Sequence, residues 1–364
     1  MAIHTGKMKY PEFLRDGGVI GCVAPSFGCN IEPYHSAFLH ACERLTAMGY
    51  QMDLGPNCFA GEGIGISNTP EKCGRELTDH YISDKNDILL SCGGGELMCE
   101  ILDFIDFEKL SAAKPKWYVG YSDNTNFTFL LATLLETASI YAPCAPALGM
   151  EPWHTCIQDL WDAVCGKKLQ FTGYPAWEKE SLKSAENPLA PYHTTEPGKI
   201  RIFTPDNAGA ERNMGDFHHS PNESVAMEGR LLGGCMDCLV NLLGTKFDHV
   251  ADYVEHYRTD GIVWFLEACD LNVFAIRRAI WQMDHAGWFR HIKGVLVGRP
   301  YCYGSEMMGL DTYRAVLDPL SKYHVPIIMD MDFGHLPPAM PMICGSYVKV
   351  SAEGNQYQIK YELV

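Results

Sequence analysis

Residues 116–136 read KWYVGYSDNTNFTFLLATLLE. An apolar, β-rich run stops at Gly120, a serine follows at position 122, and a helical pattern begins at once. A strand that turns straight into a helix is the joint of a parallel α/β sheet, where crossover helices link the strands. A nucleophilic serine needs the same joint. The tight turn lifts Oγ clear of the sheet, and the helix N-terminus offers unpaired backbone N–H groups. The stretch is not the hydrolase pattern G-x-S-x-G, since Asn124 stands where the second glycine would be. On these residues alone, Ser122 or Asp123 serves equally well as a plain helix cap.

Outward from this joint the texture repeats. GVIGCVAP (18–25), Tyr50–Leu54 and DILLSC (87–92) read as further strands, with helices predicted over 34–48, 70–82, 96–105 and 124–136. Thr69 and Pro70 form an N-cap and first-turn pair for the second of these. Such alternation predicts an α/β fold with a parallel sheet covered on both faces, over residues 1–165. Residues 166–228 mix Pro, Asn, His and charge, and read as a linker with a functional insertion. Over 229–364 regular texture resumes, with strands at GIVWFLE (261–267) and GVLVG (294–298) and helices over 272–286 and 310–323. The tail SYVKVSAEGNQYQIKYELV alternates apolar and polar residues around Glu353–Asn355, a hairpin pattern.

Composition narrows the function. In 364 residues the net charge is −16, which argues against a nucleic-acid polymer or an anionic membrane as partner. The fifteen cysteines follow no disulfide framework, and Cys22 and Cys344 sit in apolar runs where a reduced thiol acts as a small hydrophobe. The N-terminal stretch has no signal-peptide core and no window is long and apolar enough to span a bilayer, so a cytoplasmic protein is expected.

Three further features carry chemistry. LLSCGGGELMCEIL places Gly93, Gly94 and Gly95 between strand and helix, where bare backbone can approach a ligand or donate to an oxyanion. The full G-x-G-x-x-G spacing of a dinucleotide binder is missing, and a tight turn with close helix packing is the plainer alternative. Glu267 ends the apolar strand IVWFLE, at the sheet edge where α/β sites assemble. Buried there it needs a partner; capping the helix near Asn272 or pairing with Arg277 would also satisfy it. DMDFGHLPPAMPMICG holds His335 in a loop stiffened by Gly334, Pro337 and Pro338, which suits an aimed general base and equally an ordinary surface histidine. Together these supply a nucleophile, an orienting carboxylate and a base, in the order Ser, Glu, His.

The strings VAPS (23–26), SCGGG (91–95), GYSDNT (120–125), GRLLGGCMDCLVNLLGT (229–245), FLEACD (265–270), GVLVGRP (294–300) and DFGHLPP (332–338) resemble, in order, the motif series of the serine LD-carboxypeptidase and microcin C immunity peptidase family. The resemblance spans about residue 17 to residue 350. It implies a Rossmann-like, flavodoxin-like N-terminal domain, a smaller β-rich α/β C-terminal domain, and a homodimer. It also implies Ser122 as nucleophile, Glu267 as triad acid, His335 as base, and the amides of Asp123 and Gly95 as oxyanion donors.

The loop Gly93–Gly94–Gly95–Glu96 departs from the Arg-Gly-Gly-Tyr type of many LD-carboxypeptidases, and the insertion carries Trp177, Tyr192 and Phe203. Both lean toward the immunity-peptidase branch and aminoacyl-nucleotide substrates, with Gly94 letting backbone approach the substrate. Trp177 would stack on a nucleobase or, alternatively, pack the insertion onto the body. Other expectations are a murein tetrapeptide as substrate, or a nucleotide- or peptide-binding protein without turnover. No metal or organic cofactor is required. Cys235-x-x-Cys238 has redox or zinc spacing but no matching second pair, and reads as a helix start. His218–His219 lacks matched ligands and reads as solvated.

Overall fold

The computed structural model describes residues 6–205, 217–218 and 223–364. Its first sheet has five short parallel strands: β1 (Val19–Val23), β2 (Gln51–Leu54), β3 (Ile88–Ser91), β4 (Tyr118–Gly120) and β5 (Ser139–Tyr141). Their order is β2-β1-β3-β4-β5, the flavodoxin-like arrangement, which gathers ligand sites at the C-terminal strand ends. All four residues of β3 are buried, as a strand covered on both faces demands. Helices Tyr34–Ala47, Pro70–Ile82 and Thr125–Leu135 lie between the strands, and Thr69 caps the second by accepting from the Lys72 amide. From far along the chain, Met342–Cys344 adds an antiparallel strand beside β5.

One expected helix takes a different form. Over 96–105 the chain winds as a 3-10 helix, Met98–Phe104. The Met98 amide donates to the Asp123 carboxylate at 2.9 Å and the Glu96 amide to the Gly65 carbonyl at 3.0 Å, so tertiary partners fix the way into this turn.

Among the described residues the second large sheet has nine strands and is the wider. Ser224–Cys235, Ile262–Glu267, Ile292–Gly298 and Ile327–Met331 run parallel at its centre. The hairpin Tyr347–Glu353 and Gln356–Glu362 joins antiparallel, where the alternating tail predicts it. Residues 166–228, which read as linker and insertion, supply the outer strands on both flanks, and their last five open the central strand Ser224–Cys235. Gln170–Thr172 pairs beside the hairpin; on the other flank Arg201–Pro205 pairs with Ile327–Met331, and Phe217–His218 pairs with Arg201–Pro205. The outermost strands, Gln170–Thr172 and Phe217–His218, need only one paired side. His219 and the side chain of His218 lie outside the described residues. No cysteine forms a disulfide, and among the described residues no helix is long and apolar enough to cross a membrane.

The sheets meet where Ser224–Cys235 ends against the helix Thr125–Leu135. Gly233 and Gly234 adopt φ of +154° and +151° there, a backbone region that side chains rarely enter. A Cβ on Gly233 would lie 1.8 Å from the Phe265 carbonyl oxygen, and one on Gly234 2.6 Å from the Thr125 methyl. Closure is completed by the Cys235 amide, which donates to Thr125 Oγ1 at 3.0 Å.

Gly233→Ala is therefore expected to destabilise the protein by about 2 kcal/mol or more, measured by urea denaturation. Gly49→Ala, with φ of +95° but open space around it, should cost only about 1 kcal/mol.

Candidate active site

β4 ends at Gly120, Tyr121 is extended, and Ser122 turns into the left-handed region at φ +61°. A non-glycine residue held there stores on the order of 1–3 kcal/mol, which the surroundings must offset. The next two side chains do this. Asp123 Oδ2 accepts from Ser26 Oγ at 2.5 Å and from the Met98 amide at 2.9 Å, while Oδ1 accepts from Asn126 at 3.0 Å. Asn124 Nδ2 donates to the carbonyls of Gly93 at 2.9 Å and Tyr121 at 3.1 Å, and its Oδ1 accepts from the Tyr118 hydroxyl. The side-chain oxygens of Ser122 and Asp123 are directed to His335, Ser26, Met98 and the Asn126 side chain, and the N-cap position of the helix falls to Asn124. The plain cap is thus set aside: Asp123 and Asn124 tie the serine turn to the VAPS and SCGGG loops.

Glu267 ends its strand at 0% exposure. Its Oε2 lies 2.7 Å from His335 Nδ1, and His335 Nε2 lies 2.8 Å from Ser122 Oγ. The two alternative partners are engaged elsewhere, since Asn272 caps its own helix and Arg277 pairs with Asp318 at 2.8 Å. The sequence spreads these three residues over more than two hundred positions, and the fold brings them into one line.

The loop that aims His335 is anchored from below. Arg299, 1% exposed, pairs with the Asp332 carboxylate and donates to the Asp330 carbonyl at 2.6 Å. Asp332 Oδ2 also accepts from the Tyr174 amide at 2.9 Å and the Tyr357 hydroxyl at 2.8 Å. Gly334, at φ +99°, passes so close that a Cβ would lie 2.8 Å from Glu267 Oε2. Behind Glu267, Asp237 accepts from the amides of Cys269 at 3.0 Å and Asp270 at 2.9 Å. These contacts give a physical reason for the GRP, DFGH, MDC and EACD strings.

Electrostatics follow from the burial. Burial alone would push the Glu267 carboxyl up, but the His335 charge, with hydrogen bonds from His335 and Tyr141, holds it below the usual carboxylate range. Burial would likewise depress His335, yet the Glu267 charge and the hydrogen bonds with Cys269 and to Glu267 outweigh it and hold the imidazole well above the ordinary value. The pair favours the ion pair when protonated and leaves Nε2 as an acceptor for the Ser122 hydroxyl when neutral.

The remaining expected residues divide. Gly94 lies against the serine: a Cβ at this position would sit 3.2 Å from Ser122 Oγ. Among the described residues, the amides of Gly95 and Asp123 find no protein acceptor. Trp177 is a correction. It is 5% exposed, lies under the Arg299 guanidinium at 5.3 Å and meets Tyr303 edge-on at 5.3 Å. So little of its surface is open that it packs the insertion onto the body and offers no stacking face.

Other residues emerge only in three dimensions. Tyr121 and Tyr301 flank the His335 ring, with centroids 5.3 and 6.1 Å away. Tyr141 touches both Ser122 and Glu267. Cys235, which reads as a helix start, has its thiol beside the site: its Sγ, a Glu267 oxygen and a His335 nitrogen lie within 4.8 Å of one another. The thiol also contacts Asp237 at 3.2 Å. A tyrosine ending a three-residue strand carries no local signal of such contacts.

Comparison with known proteins agrees with this architecture. The LD-carboxypeptidase N-terminal domain matches residues 20–142 and the LD-carboxypeptidase C-terminal domain residues 228–350. A protein named as a carboxypeptidase from Streptomyces coelicolor is 24% identical over 73% of this chain and 69% of its own length. One named as a murein peptide carboxypeptidase from Bacillus subtilis is 24% identical over 79% and 73%. In fold, the chain is similar to an MccF-like protein from Bacillus anthracis, with TM-score 0.77, 18% identity and coverage of 97% and 100%. It is also similar to the microcin C7 self immunity protein MccF in complex with aspartyl sulfamoyl adenosine, with TM-score 0.76, 17% identity and coverage of 97% and 99%.

The anchoring of the histidine loop makes a stability prediction. Asp332→Ala strands a buried guanidinium and should cost about 3–5 kcal/mol in urea denaturation. Replacing Arg299 and Asp332 together by leucine should cost less than the more damaging single change.

Proposed function

The chain belongs to the LD-carboxypeptidase family, and from that premise we propose that it is a serine carboxypeptidase that hydrolyses a C-terminal amide bond through Ser122, His335 and Glu267. The observation that carries this reading is the unbroken line from Ser122 Oγ through both His335 nitrogens to Glu267, at 2.8 and 2.7 Å. His335 Nε2 takes the hydroxyl proton as Oγ bonds to the substrate carbonyl carbon. The carbonyl electron pair moves onto oxygen, where the amides of Asp123 and Gly95 donate to it. His335 then gives its proton to the amide nitrogen, the C–N bond breaks, and an acyl ester of Ser122 remains. Water repeats the sequence in reverse roles and releases the acid. Glu267 holds the imidazole tautomer with Nδ1–H and offsets the charge that forms on the ring.

For the substrate we favour an amide joining an aminoacyl group to a nucleotide-like tail. Support comes from the similarity in fold to a protein that binds aspartyl sulfamoyl adenosine. Exposed aromatic surface near the triad adds to it. Tyr301 is 60% exposed beside His335 and takes the stacking role that Trp177 does not fill. A second reading, hydrolysis of the L,D bond in a murein tetrapeptide, is favoured by the name of the Bacillus subtilis relative. In the same proposal the protein works as a homodimer in the cytoplasm; sedimentation at the monomer mass of 40.6 kDa would contradict the dimer.

Turnover of aspartyl sulfamoyl adenosine and of a murein tetrapeptide, measured side by side, should be at least tenfold faster for the first. The reverse ratio would transfer the proposal to the murein peptide. Ser122→Ala and His335→Ala should each lower turnover by roughly 10⁴-fold or more. Fluorophosphonate should label Ser122 in the wild type; labelling no faster than a free serine would point to a binding protein without turnover.

The pH dependence has a definite sign. The base must be neutral, and its pKa is raised, so turnover falls as pH drops through an inflection above the ordinary histidine value of 6.5. An inflection below 6.5 would count against His335 as the base.

A further inference from the structure

The side chain of Tyr141 belongs to neither the nucleophile turn nor the base loop, yet it touches both ends of the triad. Its hydroxyl accepts from the Ser122 backbone amide at 3.0 Å and donates to Glu267 Oε1 at 2.5 Å. Ser122 Oγ, His335, Glu267, Tyr141 and the Ser122 amide therefore close a ring of hydrogen bonds, four contacts of 2.8, 2.7, 2.5 and 3.0 Å. The ring crosses the molecule, since β5 brings Tyr141 from the first sheet while Glu267 ends a strand of the second. Phe265 and Tyr121 fix the phenol ring, with centroids 5.5 and 6.3 Å away. The residue is 1% exposed, so bulk solvent does not compete for its one proton.

Each contact has a distinct consequence. The bond from the Ser122 amide holds the residue whose φ is +61°, so the hydroxyl helps keep the serine in its strained turn. The bond to Oε1 fixes the rotation of the carboxylate that presents Oε2 to His335. It also draws charge from Glu267, and so moderates how strongly the carboxylate holds a proton on the imidazole. Burial pushes the Tyr141 phenol well above its ordinary value, so it stays a donor wherever the triad titrates.

Resting on the serine-peptidase reading above, we propose that Tyr141 is a positioning residue whose hydroxyl locks the nucleophile turn to the triad carboxylate and sets the proton affinity of His335. A residue that merely fills space could be replaced by phenylalanine without changing how the histidine titrates. A hydroxyl with this role could not.

The test compares wild type, Tyr141→Phe and protein carrying 3-fluorotyrosine at position 141, with Ser122→Ala as the control for the underlying reading. Tyr141→Phe should lower kcat by roughly 10–100-fold with KM within about twofold, and move the acid limb of the kcat profile to higher pH. Fluorotyrosine keeps the ring and strengthens the donor, so the acid limb should move the opposite way, to lower pH. This second variant decides the matter should the phenylalanine protein fail to fold. Wild-type kcat in Tyr141→Phe, a loss confined to KM, or an acid limb that neither variant moves would overturn the positioning role. These outcomes with Ser122→Ala inactive would refute Tyr141 alone; an active Ser122→Ala would refute the serine peptidase itself.

Discussion

A carboxylate with no exposed surface keeps its charge only when every lone pair that matters is bonded, because an isolated buried charge costs several kcal/mol. Glu267 is such a group, and its bonded partners come from two distant parts of the chain: His335 at Oε2 and Tyr141 at Oε1. Tyr141 lies in the first sheet and His335 on the loop that leaves the second. The two sheets must therefore meet at this point, and the close approach of Gly234 to Thr125 lets them come near enough. Separating them would take the Tyr141 hydroxyl from Glu267 Oε1, so the site and the joint between the sheets depend on one another.

Around that carboxylate the polar side chains act mainly on backbone. Asp123 and Asn124 bond the loops that carry Ser26, Met98 and Gly93, and Arg299 and Asp332 bond the turn before His335. Such buried polar groups contribute little net stability when satisfied and cost much when half-broken. Their effect is to leave each loop few alternative positions. Rigid elements thereby hold Ser122 Oγ and His335 Nε2 at 2.8 Å.

Much of this is legible in the sequence because the signals are local. Apolar runs bounded by turn residues mark β1 to β4, the Thr69–Pro70 pair marks a helix start, and the tail alternation marks the closing hairpin. Ser122, Glu267 and His335 stand out because each sits at a chain feature that elementary chemistry associates with a site. The rest depends on contacts between distant residues. Tyr141 sits in a three-residue strand, and its two bonds join it to residues 122 and 267. Trp177 looks free in a polar stretch, and only the fold shows Arg299 and Tyr303 against it. Gln170–Thr172 and Arg201–Pro205 lack the apolar runs of a central strand because they lie at or next to the sheet edges, where a half-polar pattern suffices. The 3-10 turn at Met98–Phe104 follows from bonds to Gly65 and Asp123, which no helical periodicity encodes.

An acyl ester at Ser122, formed with His335 as base, is the species on which the proposed chemistry turns, and it can be caught directly. Wild-type protein mixed with aspartyl sulfamoyl adenosine, quenched in acid within milliseconds and digested, should yield the aspartyl mass on the peptide containing Ser122. Under the same quench, His335→Ala protein should yield none. An adduct on another residue, or product release in the burst phase with no adduct at Ser122, would contradict the account.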